Sequence, residues 1–363
     1  MTTVNEVIQQ YGAAYRAKYG EKLLPSHQRA LRDLELCRTE ALGGHVYDCP
    51  QCQINEYKYH SCRNRHCPQC QAAAGEEWLI RQQQMLLPTP YFLVTFTLPE
   101  ELRAITRSNQ QVMYDLLFRS AAAALQELAA DPRFVGGQIG LVGVLHTWSR
   151  DLSYHPHVHF LVPGGGLSFD GQRWLPSRQG FLVHVRPLGK LFRAKFGDGL
   201  KKRELFKQVP SAVWRQAWVV HSQAVGSGQA ALKYLAPYIF RVAISNKRII
   251  SAAEGQVTFR YTPSGQKQSR LCTLPAEEFI RRFLQHVLPM SFVKVRYYGL
   301  FASGQRPRLS QARALLTRIM SVEPDSSTTE STSSTEPEPE VVCPQCGRPM
   351  AKRRLPPVRS KPP

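Results

Sequence analysis

The spacing of apolar positions divides the chain into helix-period and strand-period stretches. Val4, Val7, Ile8, Tyr11, Ala14, Tyr15 and Tyr19 recur every three or four residues, which places them on one side of a helix over 3–19, stopped by Gly20. Further helices are predicted over 27–37, after Pro25, and over 76–86. The run 91–98 (YFLVTFTL) follows Pro88 and Pro90 and reads as a buried strand, and 101–130 is helical up to Asp131-Pro132. Two strand-like runs come next, 139–148 and a second one carrying Val158, Phe160 and Leu161. The short polar stretch 149–154 between them predicts a hairpin centred near Asp151 and Leu152. Downstream we expect a hairpin over 167–185 turning at Asp170-Gly171, helices over 188–206, 212–225 and 230–248, and a strand pair, 257–262 with 271–274. A helix over 275–288 and a last strand over 292–301 complete the pattern.

Within this frame, three histidines stand at alternate positions: His155, His157 and His159. Residues two apart in a strand share a face, so the three rings line one side of the sheet. If the hairpin pairs as predicted, His146 falls opposite His157 on that same side. Neutral imidazole is a common ligand of divalent metals, and the cluster outlines a metal site with His146 and His155 as rival third ligands. Downstream, Tyr234 and Tyr238 lie four apart on a helical face, among Lys233, Arg241, Lys247 and Arg248. A phenol near cations ionises more readily and can then attack phosphorus. Pro237 is tolerated in a helix only in its first turn; a helix starting there carries Tyr238 and has Tyr234 just before it.

Cysteine spacing adds a second kind of chemistry. Cys49-Pro-Gln-Cys52 and Cys67-Pro-Gln-Cys70 are two CxxC turns separated by 14 residues. Each turn presents two thiolates and two turns complete a tetrahedron, so a structural zinc site is expected in a small module over 45–75. His45, His60, Cys62 and His66 are left over: a place among the ligands, a second zinc, or phosphate contact beside Arg63 and Arg65 all fit. A third CPQC turn, Cys343 to Cys346, supplies half a site, to be completed by a second chain or by thiols elsewhere.

Composition narrows the partners. The 363 residues suffice for one large domain with small ones attached or for two domains of ordinary size. The formal charge is +20, and residues 321–340 hold six acids and no base, so the remainder carries +26. Such a surplus points to a polyanion, with nucleic acid the leading candidate. Lys58, Arg63 and Arg65 supply charge beside the cysteine module, as Lys233 and Arg241 do beside the tyrosines, and Trp148, Tyr154, Phe160 and Trp174 are candidate base-stacking surfaces. The Ser/Thr/Glu/Pro-rich stretch 321–340 predicts a disordered linker before a basic tail. No apolar run approaches the ~20 residues that span a bilayer. Glu6, Gln9 and Gln10 interrupt the position of a signal peptide, so the protein is expected inside the cell, where close cysteine pairs favour metal over disulfides. Asp151, Asp170 and Asp198 are the only aspartates between Gly136 and Met320, which disfavours a three-carboxylate nuclease.

Taken together, the zinc module, the motif His157-Val158-His159 and the Tyr234/Tyr238 pair resemble, in that order, the HUH transposases of the insertion sequence 91 family, over about Pro25 to Ser303. The resemblance implies an α+β fold: an antiparallel sheet with flanking helices as the HUH nuclease core over 88–305, preceded by N-terminal helices (1–44) and the zinc module and followed by the linker and a C-terminal piece (341–363). It also implies Mg²⁺ or Mn²⁺ on His157, His159 and His146 or His155, and attack by Tyr238 or Tyr234 on single-stranded DNA. The product would be a 5′-phosphotyrosine and a free 3′-hydroxyl, in rolling-circle transposition on a bacterial nucleoid. A replication initiator or relaxase of the same chemistry, or a non-catalytic zinc DNA-binding protein, are the alternatives.

Overall fold

The computed structural model describes residues 2–71, 80, 82–83, 85–227, 230, 243–263, 265–320 and 341–358. Its N-terminal elements are α1 (Val4–Tyr19), α2 (Pro25–Leu36), β1 (Gly44–Cys49) and β2 (Ile54–Tyr59). Thr3 caps α1 through a reciprocal pair of hydrogen bonds with Glu6. The central part comprises β3 (Pro90–Thr97), α3 (Gln110–Ala130), β4 (Gly140–Trp148), β5 (Tyr154–Pro163), β6 (Gly165–Leu167), β7 (Trp174–Pro176), α4 (Val185–Lys201) and β8 (Val220–Ser227). After it come β9 (Ile249–Ala253), β10 (Gln256–Tyr261), β11 (Arg270–Pro275), α5 (Ala276–Leu284), β12 (Val295–Gly299), α6 (Arg306–Met320) and β13 (Ala351–Leu355).

Five strands form the central antiparallel sheet in the order β12-β4-β5-β3-β8. Alternation sorts their side chains. Phe92, Val94, Phe96, Leu141, Leu145, Val158, Phe160 and Val162 face one layer, where they pack with Phe118 of α3 and with Phe192 and Phe196 of α4. Tyr91, Leu93, Val142, Val144 and Leu161 face the other, covered by Leu300, Phe301 and the α6 residues Ala312 and Leu316. That cover reaches only half of the second face. The uncovered half holds Thr95, Thr97, His146, His157 and His159. Gly143 keeps the first layer dense: a Cβ there would come within 2.5 Å of the Phe160 ring and 3.0 Å of the Phe118 ring. The fold is thus α+β with antiparallel sheets and flanking helices, as expected.

A second layer packs at the histidine end. There α1, α2, the cysteine module, the β11-β10-β9 sheet and α5 share a core with Trp148 and Leu152 of the β4–β5 hairpin. The joint turns on His286, which is 3% exposed. Its Nδ1 lies 3.2 Å from the Thr147 hydroxyl and its Nε2 donates to the Leu152 carbonyl at 3.2 Å. In that arrangement the ring is neutral and Nδ1 accepts.

Two expectations fail on the fold. Residues 212–225 are helical only over Ala212–Arg215, and Val220–Ser227 forms the edge strand beside β3. The helical spacing of Trp214 and Trp218 is instead used in a turn, where the rings stack with centroids 5.8 Å apart and Trp218 donates to the Val213 carbonyl. Without β8, the amides of buried β3 would lack partners. The hairpin expected over 167–185 is shorter, pairing Gly165–Leu167 with Trp174–Pro176 and turning at Gly171 as predicted. The stretches 76–79, 231–242 and 321–340 fall outside the described residues.

Burial holds His286 down at about 4 from an ordinary 6.5. The folded state therefore binds fewer protons than the unfolded chain below 6.5, and the contribution is complete above that pH and lost as pH falls from 6.5 to about 4. We expect wild-type stability to drop across this window by about 3 kcal/mol more than that of His286→Gln, measured by urea unfolding at each pH; parallel curves would contradict this.

Candidate active site and metal centres

The register of the β4–β5 ladder sets His146 opposite His157 and Val144 opposite His159. From β3, Thr95 stands opposite His159 and Thr97 opposite His157. The ligand atoms of His146, His157 and His159 all lie within 4.8 Å of one another, with ring centroids 4.8–5.4 Å apart. Neighbours fix the rings. His157 Nδ1–H donates to the His155 carbonyl at 2.7 Å, and His159 Nδ1 lies 2.8 Å from the Thr95 hydroxyl. Trp148 stacks on His146 at 4.6 Å. Hydrogen bonds of this kind on the inner nitrogen select the tautomer of metal-binding imidazoles. The cluster floors a cavity of about 520 Å³, also lined by Trp148, Arg150, Asp151, His155 and Tyr261.

His155, the rival ligand, is outside the group. Its Nδ1 is 3.4 Å from an Arg103 guanidinium nitrogen, and burial, followed by that cation, lowers its pKa. The hairpin turns at Asp151 and Leu152, as expected, because the Asp151 carboxylate accepts from the Ser153 amide and from both serine hydroxyls of the turn, and Leu152 takes a left-handed φ of 65°. Among the candidate stacking residues, Phe160 (0%), Tyr154 (5%) and Trp174 (7%) are buried, whereas Trp148 (9%), stacked on His146, lines the histidine cavity. Tyr234, Tyr238, Lys233 and Arg241 lie outside the described residues.

The cysteines group differently from expectation. Cys49 and Cys52 do not meet Cys67 and Cys70. One group is Cys37, Cys62, Cys67 and Cys70; the other is Cys49, Cys52, Cys343 and Cys346. Sulfur–sulfur distances are 3.5–3.7 Å in the first and 3.7 Å for Cys49 to Cys346 in the second. Tetrahedral Zn–S bonds of 2.3 Å place sulfurs about 3.8 Å apart, so both groups fit zinc. In the second group, the amides of Cys52 and Gln51 bring Cys49 down to about 7. In the first group, Cys67 is lowered by its bonds to Cys37 and Cys62, and the Asn5 side chain lies 3.5 Å from its sulfur. The separation has a mechanical cause. The β1–β2 hairpin carries Cys49 and Cys52 to its tip, away from the base where Cys62 and Cys67 meet Cys37 at the end of α2.

Arg65 is also corrected. Its guanidinium is turned inward, donating to the carbonyls of Leu288, Pro289 and Phe292, which ties the module to the loop before β12 and occupies these nitrogens with backbone acceptors. Burial lowers its pKa. Arg63 is exposed. His66 is half-buried; desolvation lowers its pKa, and its Nε2 accepts from the Leu288 amide at 3.2 Å.

Two family models match the chain. One, described as a transposase zinc-binding domain (Zn_Tnp_IS91), covers residues 7–98, and the other, described as "Putative transposase" (Y2_Tnp), covers 140–308. A Sinorhizobium fredii (strain NBRC 101917 / NGR234) protein, "Putative transposase y4qJ", is 42% identical over 335 residues, spanning 86% of this chain and 84% of that protein. The chain belongs to the IS91 family of transposases. The "Transposase for insertion sequence element IS801" of Pseudomonas savastanoi pv. phaseolicola is 29% identical over 298 residues, 75% of this chain and 72% of that one. No solved structure matches.

As an IS91-family transposase the protein acts on DNA, and its zinc-binding domain spans Cys37, Cys62, Cys67 and Cys70. Among the described residues no helix is long and apolar enough to cross a membrane. Cys37 was missed because it sits in no CxxC pair, whereas Cys62 takes one of the roles left open for it, a place among the ligands; the remaining signal was parity, since eight of the nine cysteines form two sets of four. Replacing Cys37 by Ser leaves one ligand-poor site. We expect Cys37→Ser to lose one zinc ion per chain on dialysis against a chelator that leaves the wild type loaded, by elemental mass spectrometry, with Cys272→Ser unchanged. Equal loss from both would sink the assignment.

Proposed function

We propose that this transposase cuts and rejoins single-stranded DNA by passing a strand end onto Tyr238 or Tyr234, beside a divalent cation held by His146, His157 and His159. The observation that carries the reading is the convergence of those three imidazoles on the floor of an open cavity. With Nδ1 of His157 and His159 engaged by the His155 carbonyl and Thr95, Nε2 is the ligating nitrogen of those two. The cation, when bound, polarises a non-bridging oxygen of the scissile phosphate.

The tyrosines are supported by where their segment begins and ends. Ser227 pairs with Pro90 at the far end of the sheet, whereas Ala243 lines a small cavity with Trp148, His286 and Lys294 at the histidine end. The described residues that flank the tyrosines in sequence thus lie at opposite ends of the sheet, Ala243 at the end where Trp148 stacks on His146. In the step, a tyrosine phenolate oxygen bonds to phosphorus, the bond from phosphorus to the 3′ oxygen breaks, and that oxygen takes a proton. The 5′ phosphate stays on the tyrosine. A 3′-hydroxyl reverses the exchange, ester for ester, which requires no nucleoside triphosphate. A second tyrosine allows a second cut before the first end is released, as rolling-circle transposition requires.

Imidazole suits transition ions better than it suits Mg²⁺, so Mn²⁺ should support cleavage at lower concentration. With single-stranded oligonucleotides from the element's ends and Mn²⁺, a covalent protein–DNA adduct on denaturing gels is expected and should vanish in Tyr234→Phe/Tyr238→Phe. His146→Ala and His157→Ala should slow it roughly 100-fold, and His155→Ala less than roughly tenfold. An adduct surviving in the double variant would remove the tyrosines from the mechanism; equal losses for His146→Ala and His155→Ala would remove the three-histidine site.

A further inference from the structure

We propose that a second zinc ion closes the two ends of the chain on each other, held by the thiolates of Cys49 and Cys52 from the N-terminal module and Cys343 and Cys346 from the C-terminal segment. The family's zinc-binding domain model ends at residue 98, so half of this ligand set lies beyond it.

Three copies of CPQC occur in the chain, and their backbones identify which two are partners. The bond from the residue after the second cysteine to the carbonyl of the first is common to all three copies, Gln71 to Cys67 at 3.1 Å included; what separates 49–52 and 343–346 is the backbone of Gln53 and Gly347, whose amides return to Cys49 and Cys343 at 2.9 and 2.8 Å. Both of those residues are left-handed, with φ of 50° and 70°. These are two copies of one tight turn. The copy at 67–70 enters a helical turn instead, and Gln71 has no left-handed φ. The matched turns face each other with all four sulfurs within 4.8 Å. Cys49 and Cys343 are 2% and 1% exposed, whereas Cys52 and Cys346 are half-buried, so solvent reaches only one side.

Beyond its five-residue pairing with β1 and the Arg353–Asp48 ion pair, the segment 341–358 has little apolar packing to hold it. Of its side chains only Cys343 and Met350 are buried, and the small core they join adds Cys49 and the partly buried Tyr47, Cys52, Ile54, Val341 and Cys346. β13 reads AKRRL and is exposed over four of its five residues. Burying so little apolar surface does not offset the cost of ordering the segment and closing the loop from residue 320, whereas a zinc tetrathiolate contributes to folding outright. Closure has a consequence for charge. It sets β13 against β1, with Arg354 opposite His45 and Lys352 opposite Tyr47, while Lys58 flanks His45 from β2. Alternation places Lys352, Arg354 and Lys58 on one face of the three-stranded sheet.

The test uses the full-length chain with a site-specific protease sequence inserted within 321–340, and reads zinc by elemental mass spectrometry and fragment retention by gel filtration after cleavage. Neither readout involves DNA or strand cleavage, so it stands apart from the proposed chemistry. We expect two zinc ions per chain and retention of the 341–363 fragment. Cys343→Ser/Cys346→Ser should hold one ion and release the fragment, while Cys346→His, which keeps a ligand, should restore both. Cobalt substitution should show the thiolate charge-transfer band falling by about half in the double variant. One ion in the wild type, two in the double variant, or release of the fragment from a chain still holding two would each overturn the proposal.

Discussion

The whole active face depends on the register between β4 and β5. Side chains alternate with a period of two, so a one-residue slip would turn His157 and His159 into the aromatic layer around Phe118 and push Val158 and Phe160 out under the cavity. Three features oppose the slip. The Asp151 carboxylate gathers the turn, Gly143 leaves room for Phe160 to lie across its own strand, and the half of the second face beyond Val144 is apolar and covered. The histidines are then presented by a rigid element with packed layers behind it, and each ring is held by a neighbour in the same sheet or in the next layer.

This also explains what was legible in the sequence. A period-two histidine pattern beside a period-two apolar pattern can be read without any tertiary information, and so the hairpin, its turn and the opposition of His146 to His157 follow directly. The exclusion of His155 does not, because it follows from the irregularity between His146 and Trp148 and from Arg103, 52 residues away in sequence. The edge strand 220–227 was hidden for a related reason: Trp214 and Trp218 repeat at a helical interval, and only the unpaired edge of β3 shows why the chain extends instead.

Cysteine pairing was illegible in a deeper sense. Local sequence identifies a CxxC turn, but a tetrathiolate site needs two such turns or their equivalents, and the choice of partner is made by the fold. Three identical CPQC units cannot be matched by inspection, and Cys37, alone at the end of a helix, carries no local mark of a ligand. Likewise, Arg65 looks like its exposed neighbour Arg63 until the carbonyls of 288–292 are in view. A basic side chain next to a metal module is as well suited to satisfying buried backbone acceptors as to meeting phosphate.

That inward arginine shows how the metal module bears on the central sheet. Cys67 belongs to the zinc group and contacts Asn5, whose amide also donates to the Leu34 carbonyl, so the group joins α1 to α2. Two residues before Cys67, Arg65 holds the loop carbonyls, and His66 accepts the Leu288 amide. The loop ends in Phe292, whose ring meets Tyr114 and Phe118 in the first layer, and then runs into β12, the neighbour of β4. Each link is a packed or hydrogen-bonded contact with one arrangement. Loss of metal from this group would free Cys67, then the positions of Arg65 and His66, and finally the outer strand that borders His146. A metal held by these four thiolates would therefore bear on the histidine face through the strand beside it, by a chain of contacts that runs through Arg65, His66 and Phe292.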